Sequence, residues 1–183
     1  MWIVRKPLPK RRITVLPYDP GWPAEYVRES EALRRALGDA FVSAHHIGST
    51  SVPGLAAKPV IDIMIEATSL ETVDANGAAV GLLGYDALGE HGIPGRRYFR
   101  KGLPHHTHHV HVYARGDPNL CRHVAFRDYL RAYPERARAY GELKAVLAAR
   151  DPEDVEGYIS GKDALAREIE AEALRWAAGL RPA

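Results

Sequence analysis

Cys121 is the only cysteine in 183 residues, which excludes an intramolecular disulfide and any metal site built from several thiolates. Long apolar runs are lacking as well. None approaches the roughly 20 residues that cross a bilayer, and the opening residues carry neither the apolar stretch nor the small-residue cleavage site of a secretory signal. No segment repeats, and no Pro-, Gly- or Ser-rich stretch is long enough to split the chain. Charge of one sign is not in excess: 25 Lys and Arg stand against 23 Asp and Glu, a formal net charge of +2, which argues against a dedicated nucleic-acid or membrane-surface binder. What these absences leave is a cytoplasmic, globular chain long enough to bury a sizeable core as one domain over 13–183. The one local asymmetry is "VRKPLPKRR", where Arg5, Lys6, Lys10, Arg11 and Arg12 crowd a proline-broken segment. Residues 1–12 therefore read as a basic mobile tail.

The patterning is mixed. "ITVLPY" (13–18) reads as a strand start, and Asp19-Pro20 as a helix entry. Trp22, Tyr26, Leu33 and Leu37 recur on one helical face, which stops at Gly38. "AFVSAHHI" (40–47) reads as a strand, and "PVIDIMIEA" (59–67) as a strand buried on both faces. Residues 69–84 read as one helix with Ser69 or Thr72 as its cap. "RRYFRKG" (96–102) and "THHVHVYAR" (107–115) alternate aromatic and β-branched with polar residues, as two strands joined across "LPHH" would. From Asp117 the period is helical: Phe126, Tyr129, Leu130 and Tyr133 form one stripe, and Tyr140, Leu143 and Leu147 another. "SGKD" (160–163) has the form of a capping box opening the last helix, lined by Leu165, Ile169, Ala173 and Trp176. The expected class is α+β, a mixed central sheet flanked by helices with a helical C-terminal third.

Chemistry concentrates in "HHIGSTSVPGLAAKPVIDIMI" (45–65). A strand running into Gly48-Ser49-Thr50-Ser51 presents hydroxyls and backbone N–H groups together, which suits a phosphate; the plain alternative is a turn whose Ser and Thr satisfy local backbone groups. A Walker A loop is excluded, because five residues rather than four separate Gly48 from Gly54 and Leu55 follows. Asp62 is the sharper signal, since a carboxylate inside an apolar strand is costly unless paired, hydrogen-bonded or bound to a cation. A salt bridge to Lys58 or an arginine would explain it structurally; a metal ligand or general base would explain it functionally. Of the nine histidines, five fall between 105 and 111. In a strand His109 and His111 share a face and can share a metal or phosphate, while His105, His106 and His108 read as surface histidines of a hairpin edge. Arg96, Arg97, Arg127, Lys144 and Lys162 are candidate anion clamps or, singly, solvated charges.

The segments "YDPGWPAEYVRESEALRRALG", "HIGSTSVPGLAAKPVIDIMI", "IPGRRYFRKG", "HHVHVY", "FRDYLRAYPERARAYGELKAVLA" and "YISGKDALAREI" together resemble the GrpB family, over residues 13–178. That resemblance implies the nucleotidyltransferase fold, and some proteins carry the family fused to dephospho-CoA kinase. It further implies a Gly-Ser turn holding nucleotide phosphates, with an Asp-x-Asp pair and a third carboxylate binding two divalent metals about 4 Å apart. Gly48-Ser49 match the turn and Asp62 the first carboxylate. Met64 stands at the second position, where it cannot ligate a hard cation, and the third falls at "HVHV". A divalent metal held by Asp62, His111 and His109 would then be manganese, zinc or another transition metal rather than magnesium. The expected ligand is a nucleotide or other phosphorylated small molecule, held by His46, Gly48, Ser49, Thr50, Ser51, Lys58, Arg97, Arg127, Lys144 and Lys162, with Asp62 and His111 as catalytic groups. The competing expectation is a non-catalytic module that binds a nucleotide or CoA precursor.

Overall fold

The computed structural model describes residues 12–103 and 105–179; apart from Arg12, the basic tail lies outside them. Helix α1 (Trp22–Leu37) opens after Asp19, whose Oδ1 accepts the Gly21 N–H at 2.7 Å, and ends at Gly38 in positive φ. Strand β1 (Phe41–Ile47) leads into a short 3-10 turn at Ser49–Ser51, and β2 (Ile61–Ala67) follows. Next come α2 (Leu70–Ala75), α3 (Gly77–Leu82) and β3 (Tyr85–Ala87). Strands β4 (Arg96–Lys101) and β5 (His108–Ala114) precede α4 (Pro118–Ala132), α5 (Pro134–Arg150) and α6 (Val155–Ala177).

The five strands form one sheet in the order β1-β2-β5-β4-β3. It is mixed, since β2 and β5 run parallel while the other neighbours are antiparallel. The parallel pair is central and covered on both sides, as its near-continuous apolar sequence demands. Ile61, Ile63 and Ile65 of β2 and Val110 and Val112 of β5 pack with Trp22, Leu33 and Leu37 of α1, Val73 of α2 and Val80 of α3. The opposite face carries Met64 and Tyr113, which pack with Ile47 against Leu120 and Val124 of α4. A separate core joins the helices: Val52 and Leu55, from the connector after Ser51, are buried with Ala125, Tyr129 and Leu130 of α4, Tyr140 of α5 and Ile169 and Ala173 of α6. That connector therefore helps fasten the helical third to the sheet, alongside Leu120 and Val124 of α4.

Three local expectations need correction. Residues 13–18 form no strand; Leu16 makes one isolated bridge to Ala57, and Ile13 and Val15 instead pack on the α5–α6 end beside Ala148 and Tyr158. Residues 69–84 form two short helices, because Asn76 folds its side chain back on the Thr72 carbonyl at 2.9 Å and Gly77 restarts the chain. Ser69 is the cap, accepting from the Thr72 N–H. The last helix starts earlier than "SGKD": Asp154 caps it through the Gly157 N–H at 2.8 Å, while Ser160 bonds back to the Glu156 carbonyl. Lys162 thus lies well inside α6 and not in its first turn.

Candidate active site

Strand alternation decides which groups meet. In the parallel register Asp62 stands beside His109 and Met64 beside His111, so Asp62, His109 and His111 project from the face that α4 covers. His109 Nδ1 lies 3.1 Å from Asp62 Oδ1, and His111 Nε2 lies 3.8 Å from the same oxygen. Burial would raise the Asp62 carboxyl, but the two imidazoles outweigh it and hold the group below the usual carboxylate range. On the far side of His109, Nε2 is 3.5 Å from His106 Nδ1. The Nδ1 of His111 meets the Arg96 guanidinium at 3.3 Å, and Arg96 is otherwise spent on the Glu90 and His91 carbonyls.

Gly48 is a glycine for a visible reason. Its φ is +69°, and a Cβ there would come within 2.4 Å of Asp62 Oδ2, so the turn can pass over the carboxylate only without a side chain. Beyond it, a cleft of about 690 Å³ opens between the turn, the β2–β5 edge and the helices; Ser49, Lys58, Asp62, His109, Lys144 and Lys162 are among its lining groups. Lys144 Nζ donates to Ser49 Oγ at 2.7 Å. Lys58 Nζ lies over the Tyr158 ring, 5.0 Å from its centroid. Burial lowers the pKa of Lys162, and it lowers Lys144 to about 7, with Lys162 and Lys58 adding their repulsion. The cleft is thus a concave, lysine-rich surface with one carboxylate–imidazole pair at its floor.

Other expected ligand groups stand elsewhere. His46 falls on the opposite face of β1, stacked on Tyr26 of α1 at 4.8 Å. Thr50 Oγ1 gives its proton to the Val60 carbonyl, so the 3.0 Å contact with His46 is donated by Nε2–H. Burial lowers the His46 pKa to about 4, and a neutral imidazole is thereby fixed as a brace for the turn. Ser51 is buried and donates to the Gly48 carbonyl at 2.5 Å. Arg127 binds Asp128 and the His46 carbonyl. Arg97 is not brought to the cleft at all: it lies on the α1–α3 side and forms a two-pronged pair with Asp74 at 2.7 and 2.8 Å. His108 is not a surface histidine either, since alternation turns it under α1, where it is 5% exposed and its Nε2 lies 3.6 Å from Glu25.

The sequence reading passed over Arg122, His123, Phe126, Tyr140, Tyr158 and Glu170, which also line the cleft. They come from three different helices, and each looks like an ordinary helix residue in its own segment. Of these, His123 sits 5.9 Å from the His111 ring, and burial lowers its pKa to about 4.

A two-metal carboxylate set does not fit these residues. Met64 is fully buried between Ile47 and Tyr113, where a carboxylate would be desolvated against apolar groups. Among the described residues no group of three His, Cys, Asp or Glu side chains is arranged to hold a metal ion. Asp62 is hydrogen-bonded to His109, with His111 3.8 Å away, rather than set in an open cage.

The sheet order and the helices packed on the sheet define the class, an α+β domain of nucleotidyltransferase-like fold. The likeness to the GLD-2/RNP-8 complex bears on the fold alone: TM-score 0.50, 10% identity, 82% of this chain and 51% of that one. The chain belongs to the GrpB family, whose model, described as GrpB protein, matches residues 12–172. It is 45% identical to UPF0157 protein YqkA of Bacillus subtilis, over 93% of this chain and 50% of that protein. The crystal structure of the conserved protein GrpB from Enterococcus faecalis superposes with a TM-score of 0.86 at 42% identity, covering 90% of this chain and 99% of that one. The chain thus spans half the length of its Bacillus relative.

Proposed function

We propose that the cleft binds a nucleotide or another phosphorylated small molecule. Three lysines, Lys58, Lys144 and Lys162, converge with the Ser49 hydroxyl on one concavity, and this convergence carries the reading. Three amines brought together against mutual repulsion cost stability, and a polyanion in the cleft would relieve that cost. Ser49 would hold a phosphate oxygen, and the aromatic wall of Phe126, Tyr140 and Tyr158 would take an apolar or planar portion. Asp62 and His109 would form a polar pair able to accept or return a proton at a ligand hydroxyl.

Transfer of a nucleotidyl group is the chemistry that the fold brings to mind, but Met64 in place of a second carboxylate favours a binding module. Calorimetry with ATP, inorganic pyrophosphate and a CoA precursor, with and without manganese or zinc, tests the ligand class. A Kd weaker than about 1 mM for all of them removes the reading. Labelled-nucleotide transfer by wild type and by Asp62→Asn then separates the two chemistries. Turnover that survives Asp62→Asn would make Asp62 structural, and tight metal-independent binding without turnover would make the protein a module.

A further inference from the structure

Lys144 is set up unlike a charge clamp. It lies mid-helix in α5 and is 3% exposed, yet it lines the cleft. The cleft carboxylates are committed to other partners: Asp62 to His109 at 3.1 Å, Asp163 to Arg167 at 2.8 Å and Glu170 to Arg122 at 3.1 Å. Nζ instead donates to the Ser49 hydroxyl at 2.7 Å and lies over the Tyr140 ring, 4.8 Å from its centroid. Lys58 of the connector and Lys162 of α6 face it, and Asp62 of β2 acts on it only from longer range. A desolvated amine next to other cationic groups is the arrangement that makes lysine a nucleophile at neutral pH.

We propose that Lys144 is a nucleophilic amine that forms a reversible imine with a phosphorylated aldehyde or ketone held in the cleft. The inference rests on the reading of the cleft as a phosphate site: Ser49, Lys58 and Lys162 hold the phosphate and so bring a carbonyl on the same molecule to Nζ. The Nζ lone pair forms a C–N bond as the carbonyl π pair moves to oxygen. One proton passes from nitrogen to that oxygen to give the carbinolamine, with the Ser49 hydroxyl placed to relay it. Loss of water then leaves the C=N bond, so that amine plus carbonyl yields imine plus water with no oxidant or reductant. The same burial and like-charge neighbours set the pKa of Lys144 at about 7, which supplies the free amine at neutral pH.

The probe is pyridoxal 5′-phosphate, which joins an aldehyde to a phosphate, followed by borohydride reduction and peptide mapping by mass spectrometry. The expected result is a reduced adduct at Lys144 about tenfold above that at any other lysine, rising as the pH passes through the amine's titration. Lys144→Met and Lys144→Arg each remove it, in protein that circular dichroism shows to be folded. Adducts concentrated at Lys58, Lys101 or Lys162, or undiminished total labelling in Lys144→Met, overturn the proposal. Pyridoxal without its phosphate separates the two layers. Equal labelling of Lys144 by pyridoxal keeps the amine and removes the phosphate site, whereas pyrophosphate binding with no Lys144 adduct keeps the phosphate site and removes the imine.

Discussion

The two faces of β2 are built to opposite rules. On one, Ile61, Ile63 and Ile65 are sealed beneath α1, α2 and α3; on the other, Asp62 holds a histidine pair at the floor of a cleft, and only Met64 is sealed. One seven-residue strand thus supplies stability on one side and chemistry on the other, because successive side chains point to opposite faces. The sheet can tolerate a carboxylate at Asp62 because it is only half-buried and is paired with His109 at 3.1 Å.

The sharpest way to break this contrast is Ile63→Ala. Ile63 is fully buried, and the substitution should cost about 2–5 kcal/mol in denaturant unfolding, with ligand affinity unchanged where the protein remains folded. Next is Gly48→Ala, which forces a Cβ into the Asp62 carboxylate from a positive φ. A loss of about 1–3 kcal/mol from the backbone alone is expected, since φ +69° with ψ −175° is open essentially to glycine only. NMR of the His109 ring should show its hydrogen bond to Asp62 displaced, which Ile63→Ala should not do.

Two pH experiments sharpen the comparison further. Lys144 is lowered from 10.5 to about 7 in the folded chain, so between those values the unfolded state binds the extra proton and stability rises with pH. Lys144→Met should flatten the rise in denaturation midpoint from pH 7 to 10. His46 is lowered from 6.5 to about 4, so its contribution is present above pH 6.5 and is lost as pH falls toward 4; His46→Gln should reduce that acid-side loss. The smallest effect belongs to Arg97→Ala. Its pair with Asp74 is partly exposed and is worth about 0.2–1 kcal/mol at most, and phosphate-ligand affinity should not change. A large loss of affinity in this variant would mean that the ligand spans both faces.

Much of this was legible in the chain itself. The strand "PVIDIMIEA" announced its own burial, Asp62 stood out as a residue with a cost to explain, and the one-face repeat of Trp22, Leu33 and Leu37 marked α1. The misreadings share a cause. Arg97 looked like an anion clamp and His46 like a ligand, because residue type carries chemistry but not direction; a shift of one position along a strand reverses the face. Residues 13–18 have strand composition, yet their partners are the ends of α5 and α6 rather than a neighbouring strand.

The sequence by itself determined the element types, the sealed strand, the lone carboxylate and the methionine beside it, because propensity, alternation and the cost of burying charge act locally. Tertiary structure alone decided that Lys144 would meet the Ser49 hydroxyl, 95 residues away in the chain, and that Lys58 and Lys162 would close around it. The physical reason is that those contacts depend on how Val52 and Leu55 lock the helical third onto the sheet. That packing geometry is the product of many weak, non-directional contacts, and no short motif encodes it.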